Sequence, residues 1–569
     1  MVKLLRIRLD TKEYSLNKTD DKYRNLGGRG LTSRIIAQEV SPDCDPLGPA
    51  NKLVFSPGIL AGSTVPNSGR LSIGSKSPLT QTIKEANAGG AAAHKLARLG
   101  LQAIVLEGSG AAWSVVKIDN NGVTFDSAES LEMKGINATI DYCRELYGDK
   151  CCVIAIGQGG ELCLGAAAIA VTSPDHFPRM AGRGGLGAVM GAKKVKAIVV
   201  DDTGCMAPRL KNPALFSQSV KAFTQGITAH PLAQGLNRFG TPLLIGMINE
   251  MGALTTKNYS LGKFAGAEKI SGECIADLLD ARTGGETSHR CMTGCVMSCS
   301  NIYTDPQGKV IVSGLEYETL ALMGANCMID DVDIIARMNG VCNDYGLDTM
   351  DVGGAIGVAM EANLLSWGDG PAALRMVEDI VCNTKNARMI GHGCRYTGEK
   401  LGVNRIPHVK GQCLAGYDPR VLKGTGTTYA TSPMGADHTC GNAMPSPANP
   451  AYDPSAPKGQ APVSQFLQRY FAAIDTLGLC LFAALPPLDN PDLQKHLIDC
   501  AGAVLDESLE EQYLMRLGKM VLDEERKFNL AVGFTEKDDR LPEFFRTEHL
   551  EQKGSKFDVT DEELDSVHR

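Results

Sequence analysis

In RCMTGCVMSCSN, Cys291, Cys295 and Cys299 stand with three residues between neighbours, and a fourth cysteine, Cys480, closes the distant segment DTLGLC. Three thiolates from one local loop, completed by one that the fold delivers, is how a chain encloses an iron-sulfur cube. Zinc is the rival, although structural zinc ordinarily draws on two close pairs of ligands. His289, just upstream, reads as a solvated helix-end side chain, and its E-x-x-H spacing from Glu286 reads as coincidence.

The segment AGRGGLG, with Gly182 to Gly187 matching G-x-G-x-x-G, is followed by Asp201 and Asp202 at the distance of a ribose-binding acid. A dinucleotide loop leaves a strand directly, whereas the expected strand Ala166–Val171 is separated from Gly182 by SPDHFPRM and its two prolines. What remains is an anion loop, in which Arg179 and Arg183 flank bare backbone N–H groups. GGRGL (Gly27–Leu31), PNSGRLSIGSKSPLT (Pro66–Thr80, with Arg70) and EANAGG around Asn87 have the same character. One arginine in a glycine turn is ordinarily solvated, but several in one region point to a phosphate-bearing ligand.

CNDYGLD (Cys342–Asp348) and AIDTLGLC (Ala473–Cys480) resemble each other: a helix end, then Gly, Leu and Asp or Cys. Helix C-capping explains Gly346 and Gly478, but not the polar residue three before each, Asn343 and Asp475. Such an acceptor can meet the N–H edge of a heterocycle, and two related turns suggest a ligand with two related halves. Glu318 and Tyr317 in LEYETL, and His438 in GADHT, are acid-base candidates, with capping or solvation as the plainer reading.

These residues need elements to hold them. The 569 residues suggest several domains, and 43% apolar content is enough for real cores. The net charge of −8 argues against a nucleic-acid surface. No run approaches a membrane span, KLLRIRLD lacks the features of a signal peptide, and 18 scattered cysteines suit a reducing compartment. We therefore expect a soluble, cytoplasmic protein that contacts neither nucleic acid nor membrane.

Strand-length runs such as KLVFSPG, QAIVLEG, CVIAIG and KAIVV fill the first part, with a helix around Ala91–Leu101. Beyond Asp201, helical spacing dominates, as in Asp331–Asn343, Met350–Leu365, Gly370–Asn383 and Val463–Thr476. The expected fold is α+β: a β-sheet-rich cofactor-binding domain over 1–205, then two mainly α-helical domains over 206–400 and 401–569. The Pro- and Gly-rich stretch Thr431–Lys458 reads as a functional loop or lid, the terminal VTDEELDSVHR as frayed, and no repeat of 20–50 residues is visible.

Taken together, GGRGL, SGR…KSPLT, NAGG, AGRGGLGAVMGAKKVKAI, EYET, CNDYGLDT, GADH and DTLGLC, spread in this order over residues 25 to 483, resemble the tungsten-containing aldehyde ferredoxin oxidoreductases. The resemblance implies a bis-pyranopterin tungsten cofactor (tungstopterin), with molybdenum as the alternative metal, Mg2+ bridging the phosphates, a 4Fe-4S cluster and no direct protein ligand to the tungsten. Arg70, Asn87, Arg179, Ala181, Gly182 and Arg183 would then handle phosphates, magnesium and pterin edges, and Arg70 would link pterin to cluster. Asn343, Gly346, Leu347 and Asp348 would grip one pterin, and Asp475, Gly478, Leu479 and Cys480 the other. Cys291, Cys295, Cys299 and Cys480 would hold the cluster.

By the same resemblance Glu318 would be the base, with Tyr317 and His438 hydrogen-bonding the carbonyl of an aldehyde. The aldehyde is oxidised to a carboxylic acid, and the electrons leave through the cluster to ferredoxin or an iron-sulfur electron-transfer subunit; a homodimer is compatible with this. The alternatives are another low-potential tungsten reaction, such as aromatic or carboxylate reduction, and an iron-sulfur electron carrier without pterin. The chain departs from the family in three ways. It has three residues rather than two between its first two cluster cysteines, Asn343 where Asp is usual with Asp344 adjacent, and a somewhat shorter length.

Overall fold

The first two hundred residues pair into two six-stranded sheets with the same topology. The computed structural model describes all residues except 1, 2, 209, 211, 383, 446–448 and 552, so parts of the Asp201–Asn212 and Thr431–Lys458 segments and the end of Gly370–Asn383 lie outside it. The first sheet holds β1 (Lys3–Arg8), β2 (Glu13–Lys18), β3 (Leu53–Pro57), β4 (Leu71–Lys76), β5 (Ile83–Ala88) and β6 (Leu101–Glu107), in the order β2-β1-β6-β3-β4-β5. The second holds β7 (Ser114–Asp119), β8 (Gly122–Ser127), β9 (Cys152–Ala155), β10 (Ile169–Thr172), β11 (Pro178–Ala181) and β12 (Val195–Val200), in the order β8-β7-β12-β9-β10-β11. The pairs β1·β6 and β7·β12 are parallel and every other neighbour is antiparallel.

Each half therefore runs hairpin, helix (Gly28–Glu39 or Ile136–Tyr147), three-stranded meander, short helix (Ala92–Arg98 or Leu186–Ala192) and a last strand returning beside the first. This is an internal duplication, with a unit far longer than a solenoid repeat. Its sequence trace is an Ala-Gly step before each short helix, at Ala88-Gly89 and Ala181-Gly182, and an Ala-Ile-Val run in each closing strand. Phe55, Ile104, Ile154 and Val199 belong to one apolar core shared by both sheets.

The glycine loop at Gly182 does leave a strand directly, contrary to the expectation from its prolines. Pro178 is the first residue of β11, an edge strand, where its missing N–H costs no ladder bond. The dinucleotide reading still fails, because β11 is an antiparallel edge strand and Asp202 is paired with Lys95 at 2.5 Å and Arg98 at 3.2 Å.

Later helices, Val332–Tyr345, Thr349–Glu361, Gly370–Glu378 and Gln460–Leu477, lie where the apolar spacing puts them. Ahead of them in the chain stands a small sheet of β13 (Glu286–His289), β14 (Ser300–Thr304) and β15 (Val310–Ser313), whose first two strands flank the cysteine loop. The C-terminal segment is not frayed: Thr560 caps a helix over Asp561–Ser566, Leu564 and Val567 are buried, and acidic residues fill the dipole-favoured first turn. Among the described residues, no helix is long and apolar enough to cross a membrane.

Arg29, in the first turn of Gly28–Glu39, joins the sheets to the C-terminal helices through Glu525, at 2.8 Å and with both side chains buried. Breaking such a pair strands a buried charge, at a cost of about 3–5 kcal/mol. Arg29→Met should accordingly lower the thermal unfolding midpoint. Arg8→Met, whose partner Asp10 is exposed, should leave it in place.

Candidate cofactor and catalytic site

Two helices end in the same way over the two sheets. Gln460–Leu477 stops at Gly478 (φ 74°), whose N–H bonds Asp475 O at 3.2 Å while Leu479 N–H bonds Ile474 O at 3.2 Å. Val332–Tyr345 stops at Gly346 (φ 70°), with Gly346 N–H to Asn343 O at 3.3 Å and Leu347 N–H to Cys342 O at 2.8 Å. Both glycines sit in the left-handed region that side chains avoid.

The docking is duplicated as well. Arg70 N–H donates to Gly478 O (3.2 Å) and Cys480 N–H to Asn67 O (2.8 Å); Ala168 N–H donates to Gly346 O (2.8 Å) and Asp348 N–H to Ala166 O (2.8 Å). The first contact in each pair comes from the first sheet unit, or from its copy. Capping explains the glycines, and each turn docks on one copy of the duplicated sheet unit.

Around the first turn, Asp475 accepts from Arg29 Nη1 at 3.3 Å and Asn87 Nδ2 at 3.2 Å, while Arg70 donates to the Asn87 side chain and, at 2.9 Å, to its carbonyl. Around the second, Asp348 caps Thr349–Glu361 by accepting from Met350 N–H at 2.9 Å, and its other oxygen lies 3.5 Å from Arg183 Nε. Burial pushes the neighbouring Asp351 carboxyl up to about 7. Arg183 also donates to Ala436 O at 2.8 Å and Cys413 O at 2.5 Å, and Arg179 donates to Ser300 and Ser313 at 2.8 and 2.9 Å.

Ala181 ends β11, and Gly182 starts the loop close enough that a Cβ there would lie 3.6 Å from Asp348 Oδ1. Asn343 is half-buried beside this turn, whereas Asp344 turns away to accept Asn137 N–H at 2.9 Å. Several buried polar atoms in this region have no hydrogen-bond partner: Nε of Arg179 and Arg183, Oδ2 of Asp348 and Asp351, and Oε1 of Glu85. Arg183 and the Oδ2 atoms of Asp348 and Asp351 compensate one another as ion pairs at 3.5 and 3.7 Å, whereas Arg179 Nε and Glu85 Oε1 remain a donor and an acceptor that suit a polar heterocycle with phosphates.

Cys295, Cys299 and Cys480 are buried and Cys291 is partly exposed. A hydrogen bond from Cys291, joined by those from Ser298 N–H and Asn67 Nδ2 that each reach Cys295 Sγ at 3.4 Å, holds the Cys295 thiol below the ordinary range against the opposing effect of burial. A Cβ on Gly89 would stand 3.1 Å from Cys291 Sγ, so the first sheet runs close under the cysteine loop. Among the described residues, no three His, Cys, Asp or Glu side chains converge on a single-ion point. A 4Fe-4S cube, with one thiolate on each of its irons, asks for no such convergence. His289 is not solvated: it is buried in β13 between Asp175 (3.0 Å) and Glu286 (3.5 Å), with the Phe177 ring edge-on to it.

Tyr317–Thr319 starts a helix that widens into a π-helical turn over Leu320–Gly324, a distortion frequent at functional sites. Glu318 Oε2 accepts Gly416 N–H at 2.8 Å, and Oε1 lies 3.4 Å from His438 Nε2. Burial raises the Glu318 carboxyl above the usual range, opposed by His438, the Gly416 N–H and Arg183. Tyr317 donates its hydroxyl to Gly416 O at 2.7 Å. Its ring leans on Tyr417 at 4.9 Å, and Tyr417 leans on His438 at 5.6 Å. Sequence reasoning missed Tyr417, since nothing in LAGYDPR marks it.

Residues 4–202 match the family model "Aldehyde ferredoxin oxidoreductase, N-terminal domain", and residues 218–569 match "Aldehyde ferredoxin oxidoreductase, domains 2 & 3". The chain is 31% identical to the tungsten-containing aldehyde ferredoxin oxidoreductase of Thermococcus kodakarensis, over 97% of this chain and 93% of that protein. Its counterpart in Pyrococcus furiosus is 30% identical with the same coverages. The WOR-like subunit of an aliphatic sulfonate oxidoreductase from Pyrococcus furiosus is 26% identical over 77% of this chain and 74% of that protein. The fold is shared with the active site complex BamBC of benzoyl coenzyme A reductase, solved with 1,5-dienoyl-CoA, at a TM-score of 0.80 and 18% identity, covering 99% of this chain and 92% of that one. With both family models together spanning nearly all of its length, the chain belongs to the aldehyde ferredoxin oxidoreductase family.

Proposed function

We propose that the protein oxidises an aldehyde to a carboxylic acid at a bis-pterin tungsten centre, RCHO + H2O → RCOOH + 2H+ + 2e−, with the electrons leaving through a 4Fe-4S cluster to ferredoxin or a ferredoxin-like subunit. The observation that carries this reading is Asn67. Its carbonyl takes Cys480 N–H at 2.8 Å and its side-chain amide reaches Cys295 Sγ at 3.4 Å, so a single residue ties one turn to the cysteine loop.

On this reading Asn343, Gly346, Leu347 and Asp348 hold one pterin, and Asp475, Gly478, Leu479 and Cys480 hold the other. Arg70, Asn87, Arg179, Ala181, Gly182 and Arg183 serve phosphates, Mg2+ and pterin edges, and the four cysteines ligate the cluster. The buried Nε of Arg179, which has no hydrogen-bond partner, supports the fit. The bound cofactor supplies a two-electron acceptor, and the protein positions and tunes it.

The chain's own residues handle water and protons. Glu318, raised by burial and anchored by Gly416 N–H, takes the proton from water as it adds to the carbonyl. His438 N–H meets the charge growing on the carbonyl oxygen. Tyr317, with its hydroxyl on Gly416 O, forms the wall beside them and can still accept a hydrogen bond.

The test is anaerobic turnover of the metal-loaded protein with aliphatic and aromatic aldehydes and a low-potential viologen dye. The expected result is one carboxylate formed for every two dye molecules reduced. Failure of every aldehyde, in protein shown to carry tungsten, would remove aldehyde oxidation from the account.

A further inference from the structure

Behind His438 lies a buried ion pair that the proposed chemistry does not use. Lys84, on β5, runs its stem across the glycine loop so closely that a Cβ on Gly184 would fall 2.5 Å from Lys84 Cγ. Its ammonium reaches Asp437 Oδ2 at 3.2 Å, with both side chains buried. Asp437 Oδ1 accepts from Thr439 N–H at 3.0 Å and Thr439 Oγ1 at 2.8 Å, which folds the backbone immediately after His438. The same oxygen lies 4.0 Å from His438 Nδ1, a buried nitrogen with no hydrogen-bond partner. On its other side, His438 Nε2 faces Glu318 at 3.4 Å.

We propose that Lys84 and Asp437 are positioning residues for the Glu318–His438 couple: their ion pair pins the His438 loop to the first sheet and fixes an anion behind the imidazole. The inference rests on the reading of Glu318 as the base. The sequence of groups from sheet to base is Lys84, Asp437, His438, Glu318, alternating in sign whenever the imidazole is protonated. Breaking a buried pair by removing one partner leaves the other charge uncompensated, so either substitution changes the field at Glu318 as well as the hold on the loop.

Other groups face Glu318 and must stay constant in the test. Arg183 approaches from the glycine loop, Tyr417 and the Gly416 N–H from the segment after Cys413, Tyr429 from the helix Lys423–Thr431, and Tyr259 from beneath. Burial and Asp437 raise Glu318, while His438, the Gly416 N–H and Arg183 lower it. Asp437 itself is held well below the carboxylate range by Lys84, Arg183 and His438, so it stays an anion throughout the working pH range.

The two charges predict opposite shifts. An anion disfavours ionisation of a nearby carboxyl and a cation favours it, so the two substitutions are distinguished by the sign of the shift. In the tungsten-loaded holoenzyme, Asp437→Asn should move the Glu318 transition to lower pH, Lys84→Met should move it to higher pH, and Lys84→Arg should leave it in place. The readout is the carboxyl C=O band titrated by infrared difference spectroscopy without any aldehyde, assigned by its disappearance in Glu318→Gln, alongside the acid limb of kcat/KM.

Shifts of the same sign in Asp437→Asn and Lys84→Met, or no shift in either, would overturn the proposal. Should Lys84→Met fail to fold, the near-isosteric Asp437→Asn decides alone by the direction of its shift. A wild-type infrared transition that moves as expected in an enzyme inert to aldehydes would strike the aldehyde reading and leave the pair standing.

Discussion

Glu318→Gln is expected to lower kcat by about 10²–10⁴-fold, the span over which a positioned acid-base group contributes, with tungsten and iron content unchanged. The amide keeps the size of the carboxylate and can still accept the Gly416 N–H that Glu318 takes at 2.8 Å, so the loop should stay in place. What it loses is the ability to take a proton. Among the described residues, the contacts of Glu318 include none to Cys291, Cys295, Cys299 or Cys480, so loss of metal is not expected. Steady-state turnover and elemental content on one preparation check both halves, and a variant retaining most of its activity would remove Glu318 from the mechanism.

Cys480→Ala should take the cluster below its full complement of about four iron atoms and abolish dye reduction, while much of the tungsten remains. The separation follows from the geometry. The turn docks through backbone groups, Cys480 N–H to Asn67 O at 2.8 Å and Arg70 N–H to Gly478 O at 3.2 Å, which alanine preserves. The thiol is the part that is lost. Cys500→Ala, another buried cysteine in the helix Pro491–Leu505, should leave iron unchanged. Iron retained in full by Cys480→Ala would take Cys480 out of the ligand set.

The apolar runs of β3, β6, β9 and β12 and the helices around Val332–Tyr345 and Gln460–Leu477 were legible because burial on one or both faces leaves a periodic pattern. β11 was not, because a proline and an arginine occupy it and its edge position tolerates both. β13 and β14 are short and carry Glu286, His289 and Ser300, so they lack an apolar period, and β15 is an apolar run of only four residues. The duplication of the sheets lies in topology, with only the Ala-Gly and Ala-Ile-Val traces left in sequence.

At the site, the related turns could be read because their glycines need a positive φ and therefore persist as motifs. The pairing of Glu318 with His438 joins segments far apart in the chain, and no local pattern encodes it. Lys84 went unread in the sequence, and only the fold shows that it is buried against Asp437. His289 was misread in part for the same reason, since Asp175 comes from the loop between β10 and β11, while its other carboxylate neighbour, Glu286, stood three residues upstream and was taken for coincidence.

The central claim is that one chain carries a bis-pterin tungsten centre and a four-cysteine cluster side by side. Elemental analysis of protein purified without oxygen, for tungsten, molybdenum, iron, magnesium and zinc, tests it most directly. The account predicts about one tungsten and about four iron per chain, with molybdenum in place of tungsten changing only the metal. Zinc at the cysteines without iron, or a full iron complement in active protein that holds neither tungsten nor molybdenum, would contradict it.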